Sequence, residues 1–399
     1  MLQFFSASTN IVNSKRAITE CLENALQGEP NLDCDLLIIY SAMGHNFKDL
    51  LSEARKLCPS AKISGCTGAG IIGKNGADES MSALAIMVIK GPKDEFALTN
   101  RKTSAGNDTY ELAAGMAREL KEKNKDISSL LFLPNVYECF PIDRAIEGIE
   151  SVFGPEIPVF GGVSMDNFKA ISSFHFFDDE VVERGAVMIG FADRTLKYIS
   201  DVNHGFGVIE GVLLEVTKSD LNIIYEFNGK PAWPVLAQTL GIPDTSSFIE
   251  ALTIAGFGCE LPIELQKEYG SKYYLYGIMW RFEDNSISVP VVCPAGTKLR
   301  LTRRDEKSMF EGVDWMVKRV ANKMEGIRPV AVFHSDCVVR GRFSLNRVLK
   351  DELIHRIQSP ICRGENIPWL GLYSGGELCR IGNRNWFHNF SSSILIIYR

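Results

Sequence analysis

Leu36-Leu37-Ile38-Ile39-Tyr40, a helix-patterned stretch from Phe47 to Leu57, and then Ile63-Ser64-Gly65-Cys66-Thr67-Gly68 together decide the fold. The first run is apolar without alternation, which suits a strand covered on both faces. A helix before the next strand implies a parallel crossover, because an antiparallel neighbour needs only a short turn. The return run Leu84-Ala85-Ile86-Met87-Val88-Ile89 follows a loop, Gly73 to Ser80, too short for another long helix, and is expected to pair antiparallel.

The same grammar recurs twice. The second unit has Leu130-Leu131-Phe132-Leu133, a helix-like Asp143 to Val152, Pro158-Val159-Phe160-Gly161-Gly162 and Ala186-Val187-Met188-Ile189. The third has Val330-Ala331-Val332-Phe333-His334, a helix-like Leu345 to Gln358, Trp369-Leu370-Gly371-Leu372-Tyr373-Ser374-Gly375-Gly376-Glu377 and Ile394-Leu395-Ile396-Ile397. The expected fold class is α/β, with mixed sheets built from recurring strand-helix-strand-strand units in two halves.

Between the second and third units, Val208 to Asn228 reads as strand pieces and Pro231 to Leu240 as a short helix started by a proline. The break at Ile242-Pro243-Asp244-Thr245-Ser246-Ser247 places a boundary near residue 240, giving domains of 1–240 and 241–399. Strands are expected at Tyr273 to Arg281, Ser286 to Val292 and Lys298 to Thr302, and a helix at Lys307 to Lys323.

The 399 residues are 45% hydrophobic and 23% charged, a composition that buries a sizeable core rather than staying disordered. With 43 Lys+Arg against 49 Asp+Glu, the chain is a poor match for a phosphate-neutralising surface, so no nucleic acid is expected as a partner. No run reaches about 18 apolar residues, and the start, MLQFFSASTNIVNSKRAITE, lacks a secretory pattern. Ten cysteines, Cys139 among them, are scattered without CxxC pairs. They read as reduced thiols in a cytoplasm, against zinc fingers and disulfide frameworks.

Glycines at a strand end let the backbone turn sharply and approach a ligand, so Gly65, Cys66 and Thr67 form a candidate binding turn. The run matches neither GxGxxG nor a P-loop. Cys66 is either a nucleophile or an inert buried thiol. Gly161, Gly162, Gly376 and Glu377 hold the equivalent strand ends, which would share one cleft if the units converge. Glu377 would then orient an amine or polar ligand, or else accept hydrogen bonds in its own turn. His204, followed by Gly205, is a candidate haem or metal ligand, a contact to a ligand carboxylate, or a structural hydrogen-bonder. Asp166 and Arg281 are further candidate polar anchors.

Taken in order, Ile63 to Gly70, Pro158 to Asp166, His204-Gly205, Glu215-Val216-Thr217, Tyr225 to Ala232 and Gly371 to Glu377 resemble the FIST sensory domain with its N- and C-terminal halves. The resemblance covers the chain from about residue 30 to its end. It implies a cytoplasmic, non-membrane module that senses small molecules such as amino acids, more in keeping with a binding protein than an enzyme. Some family members look like haem-binding nitric oxide sensors, which would make His204 a haem ligand; a Cys66-dependent enzyme is a further alternative. The stretch shows no kinase, GGDEF motif or receptor coiled coil, so the expectation is that output passes through a separate histidine kinase, cyclase or chemoreceptor, or that the chain is not a sensor.

Overall fold

The structure, a computed structural model, describes residues 1–104, 106, 108–135 and 141–399, and Cys139 lies outside them. Its strands form three six-stranded sheets and one eight-stranded sheet. In the first sheet the order is Gln3–Thr9, Leu84–Lys90, Leu36–Ser41 and Lys62–Thr67, followed by the hairpin Phe174–Phe177 and Glu180–Glu183. The second runs Phe96–Lys102, Gly185–Phe191, Ser129–Leu133 and Val159–Gly162, followed by Glu377–Ile381 and Arg384–His388. The third runs Lys197–His204, Ser391–Tyr398, Pro329–Cys337 and Trp369–Ser374, followed by Gly70–Gly73 and Gly76–Asp78.

Each six-stranded sheet thus has four strands of its own and a two-stranded guest from elsewhere in the chain. The crossover pairs are parallel, Leu36–Ser41 with Lys62–Thr67, Ser129–Leu133 with Val159–Gly162, and Pro329–Cys337 with Trp369–Ser374. The return strands are antiparallel. Helices Phe47–Leu57, Ile142–Phe153 and Arg347–Cys362 make the crossovers. Two of them start on an asparagine whose side chain accepts from first-turn amides, Asn46 from Lys48 and Asp49, and Asn346 from Leu349.

The guests exchange cyclically. The chain leaves the first sheet at Thr67 to join the third, leaves the second after Gly162 to join the first, and leaves the third after Ser374 to join the second. Glycines stand at these departures because the backbone must turn out of one sheet and pass close to another. Gly65, Gly161 and Gly376 have φ of +138°, +126° and +152°, which L side chains rarely adopt.

The inner faces of the three sheets share one core, including Ile38, Tyr40, Leu131, Phe160, Phe333 and Leu370, with the Phe160 and Phe333 rings 5.2 Å apart. Between Lys197–His204 and helix Glu306–Lys323 lies an insertion carrying the eight-stranded sheet, with the long strand Phe206–Asp220 paired to Lys298–Arg304. Helix Ala232–Leu240 starts after Pro231 and stops at Gly241 in the left-handed conformation. No helix among the described residues is long and apolar enough to cross a membrane.

Candidate functional site

The cyclic exchange brings the three glycine-rich strand ends together. Met165 N donates to Thr67 O (3.0 Å) and Ala69 N to Tyr373 O (3.0 Å). Gly375 N donates to Val163 O (3.0 Å), and Val163 N to Gly376 O (2.9 Å). Gly162 and Glu377 are partners in the antiparallel ladder between Val159–Gly162 and Glu377–Ile381.

Beside this knot opens a small cleft, with an enclosed volume of about 60 Å³. One wall is Met165 and Phe168, just past the second glycine pair; another is Leu252 and Met279 of the insertion; the floor includes Val339, Gly375 and Phe390. The lining is almost wholly apolar, as small-ligand sites are. Ser288 is the polar exception of interest: it is fully buried on the wall, and its Oγ has no hydrogen-bond partner. Asn389 ties the insertion to the floor, accepting from Gly277 N (3.0 Å) and donating to Gly375 O (3.0 Å).

Next in the chain to the floor residue Gly375 is a buried polar cluster. Glu377 Oε1 accepts from Ser374 Oγ (2.8 Å), while Oε2 accepts from Ser391 Oγ (2.7 Å) and Ser391 N (3.3 Å). Burial pushes its carboxyl well above the usual range despite these bonds. On the neighbouring strand end, Asp336 Oδ1 accepts from Arg340 Nε (2.8 Å), and both side chains are wholly buried. Burial raises the Asp336 carboxyl, but Arg340 and His334 outweigh that and hold it below its usual value. His334 Nε2 lies 2.8 Å from Ser392 Oγ and 3.6 Å from Asp336 Oδ2.

The FIST N domain matches residues 35–230 and the FIST C domain residues 232–380. The chain belongs to the FIST family. FIST domains are associated with signal transduction and small-ligand sensing. This FIST chain is 23% identical over 388 residues to an uncharacterized protein of Mycobacterium tuberculosis strain H37Rv, covering 96% of each. It is 25% identical over 256 residues to an uncharacterized protein of Methanocaldococcus jannaschii, covering 62% of this chain and 46% of that one. Among solved structures it matches a cyanuric acid hydrolase from A. caulinodans at 6% identity with TM-score 0.35, over 100% of this chain and 99% of the other. It also matches phosphoribosylformylglycinamidine synthase II from Thermotoga maritima at 8% identity with TM-score 0.19, over 100% and 72%. Scores this low carry no argument about fold or function.

The residues singled out from the FIST sequence divide by what they touch. Gly65, Gly161, Gly162 and Gly376 lie at the knot and let its strands approach. A Cβ on Gly162 would sit 2.8 Å from Ser374 Cβ and 2.9 Å from Ser335 Oγ. Thr67 Oγ1 accepts from Phe174 N (3.0 Å), fixing the guest hairpin. The amides after it are also spent, Gly68 N on Ser41 O, so the turn is not an open anion cradle.

Four candidates take structural roles. Cys66 is wholly buried in the central core and burial pushes its thiol up, the reverse of what a nucleophile needs. Both ring nitrogens of His204 are engaged, Nε2 with Ser271 Oγ (2.9 Å) and Tyr273 O (3.1 Å), Nδ1 accepting from Phe206 N (3.3 Å). Burial, helped by the Arg340 charge, lowers His204 to about 4. In this arrangement it offers haem iron no free nitrogen. Asp166 accepts from the amides of Lys169, Ala170, Ile171 and Ser172 and so caps the turn that follows the second strand end. Arg281 donates to Asp244 O and Ser246 O and stacks 4.5 Å over Trp233, holding the loop after residue 241.

Ser288, Asp336 and Arg340 belong to none of the motifs in the sequence. Asp336 and Arg340 leave one signal, two opposite charges four apart around the apolar Cys337-Val338-Val339.

Proposed function

We propose that this FIST chain is a non-catalytic small-ligand binding and sensing protein in signal transduction, with the ligand held in the cleft beside the glycine knot. The observation that carries the reading is the apolar cleft with the buried, unpartnered Ser288 hydroxyl on its wall. Such a site gives apolar burial most of the affinity and one hydroxyl a share in orientation.

The cleft takes its walls from both sides of residue 240, Met165 and Phe168 from the first proposed domain (1–240), Leu252, Val339 and Phe390 from the second (241–399). A ligand that touches both binds one arrangement of them better than another, and only that difference shifts a population. The output then passes to a separate partner, such as a histidine kinase, cyclase or chemoreceptor, in a cytoplasm that keeps the thiols reduced. Amino acids are the first ligands to try.

A thermal-stability screen against a metabolite library tests this. A ligand at 100 times its Kd adds about 2.7 kcal/mol. At least one compound should raise Tm by a few degrees in the natural chain and leave Leu252→Trp unmoved. A screen with no hit, or a hit that Leu252→Trp keeps, contradicts the reading.

A further inference from the structure

The most unusual group in the molecule is the Arg340 guanidinium. It is wholly buried, its Nε is spent on Asp336, and neither Nη1 nor Nη2 has a hydrogen-bond partner. Four N–H donors of a charged group buried without acceptors are costly, so natural interiors rarely keep them that way. The Nη pair forms the fork that matches two oxygens of a carboxylate.

The surroundings hold further cations near the unpartnered fork. Close to Arg340, Gly341 abuts Glu79, whose carboxylate accepts from Arg342 N (3.1 and 3.0 Å) and pairs with Lys350 Nζ (3.2 Å). The buried Arg340 and Lys350 thus stand against Asp336 and Glu79, with Arg342 exposed at the edge, and Asp351 beyond them pairs with Arg347 as well as Lys350. Tyr373, directly across the ladder from Asp336, is wholly buried and its hydroxyl also lacks a partner. Cys337, Val338 and Val339 line the cleft, and Arg340 follows them in the chain without lining it itself.

We propose that the Nη edge of Arg340, seconded by the Tyr373 hydroxyl, is the anchor for the carboxylate of an apolar-tailed monocarboxylic acid whose tail occupies the cleft. This rests on the cleft reading above and names the head group it takes. Entry requires the turn at 338–340 to move aside, because the guanidinium has no exposed surface.

The test uses the full chain and matched probes, straight-chain monocarboxylates from acetate to decanoate and the corresponding amides, titrated calorimetrically at constant ionic strength. Carboxylates should bind, more tightly with chain length, and each at least tenfold better than its amide. Arg340→Lys, which keeps the charge and loses the fork, should lose at least tenfold for carboxylates and change amide binding little. Because Arg340→Lys alters a wholly buried ion pair, Tyr373→Phe and the guanidino ¹⁵N signals of the natural chain serve beside it. Carboxylate should move the buried arginine signal, and Tyr373→Phe should weaken carboxylates selectively. Equal binding of acids and amides, or an unmoved arginine signal on saturation, overturns the anchor and leaves the cleft standing. Binding of neither series overturns the anchor, and a metabolite hit in the thermal screen would still uphold the cleft.

Discussion

Gly162 stands opposite Glu377 in the ladder that joins the second sheet to its guest hairpin, so the end of one crossover strand and the start of the exchanged strand meet residue for residue. That pairing places the buried carboxyl two residues from the floor residue Gly375. It holds only while position 162 lacks a side chain.

Gly162→Val should therefore destabilise the fold. Its new Cβ would fall within 2.9 Å of Ser374 and Ser335, inside packed β structure that cannot shift cheaply. A loss of roughly 1–3 kcal/mol is expected from overpacking. Denaturant unfolding measures it, and an unchanged midpoint would mean that the strand ends are not so closely joined.

Two sets of buried groups give opposite pH trends. The Glu377 carboxyl is raised above its ordinary 4.5 by burial, so the folded state keeps a proton that the unfolded state releases. The stability this confers is complete below about pH 4.5 and is lost as pH rises toward the folded value, by up to about 1.4 kcal/mol per pH unit. Glu377→Gln removes that loss, so its stability relative to the natural chain should improve as pH rises from 5. Burial lowers His388 to about 3 and His204 to about 4 from the usual 6.5. Their contribution is complete above pH 6.5 and is lost as pH falls toward those values, so both proteins should weaken between pH 6.5 and 4. A flat difference between Glu377→Gln and the natural chain across pH 5 to 8 would mean that Glu377 is ionised in the fold.

Cys66 should be among the last thiols to react with an alkylating reagent under native conditions. It is wholly buried with a raised thiol, whereas Cys259 and Cys362 are half-buried. Among the described cysteines, peptide mapping after brief labelling should find Cys259 and Cys362 modified before Cys66. Early modification of Cys66 would restore it as a reactive group.

The strand-helix-strand units were legible because unalternated apolar runs and amphipathic helices carry strong signals in Leu36–Ser41 and Phe47–Leu57. The opening strands were not. Gln3–Thr9, Phe96–Lys102 and Lys197–His204 lie at sheet edges and mix polar residues into short runs. The guest hairpins escaped for another reason: Gly70–Gly73 is four residues whose strand character comes from pairing with Trp369–Ser374, a contact no local pattern encodes. The glycines were found because φ and close approach demand them. Arg340 and Ser288 were not, since what distinguishes them is burial without a partner, a property of packing rather than of residue type.

The cleft itself is tested most directly by native mass spectrometry of freshly purified protein, compared with its denatured mass and with Leu252→Trp prepared alongside. The natural chain should carry a small molecule that denaturation releases, and Leu252→Trp should carry none. Equal retention of the same molecule by both proteins would contradict a ligand site in the cleft.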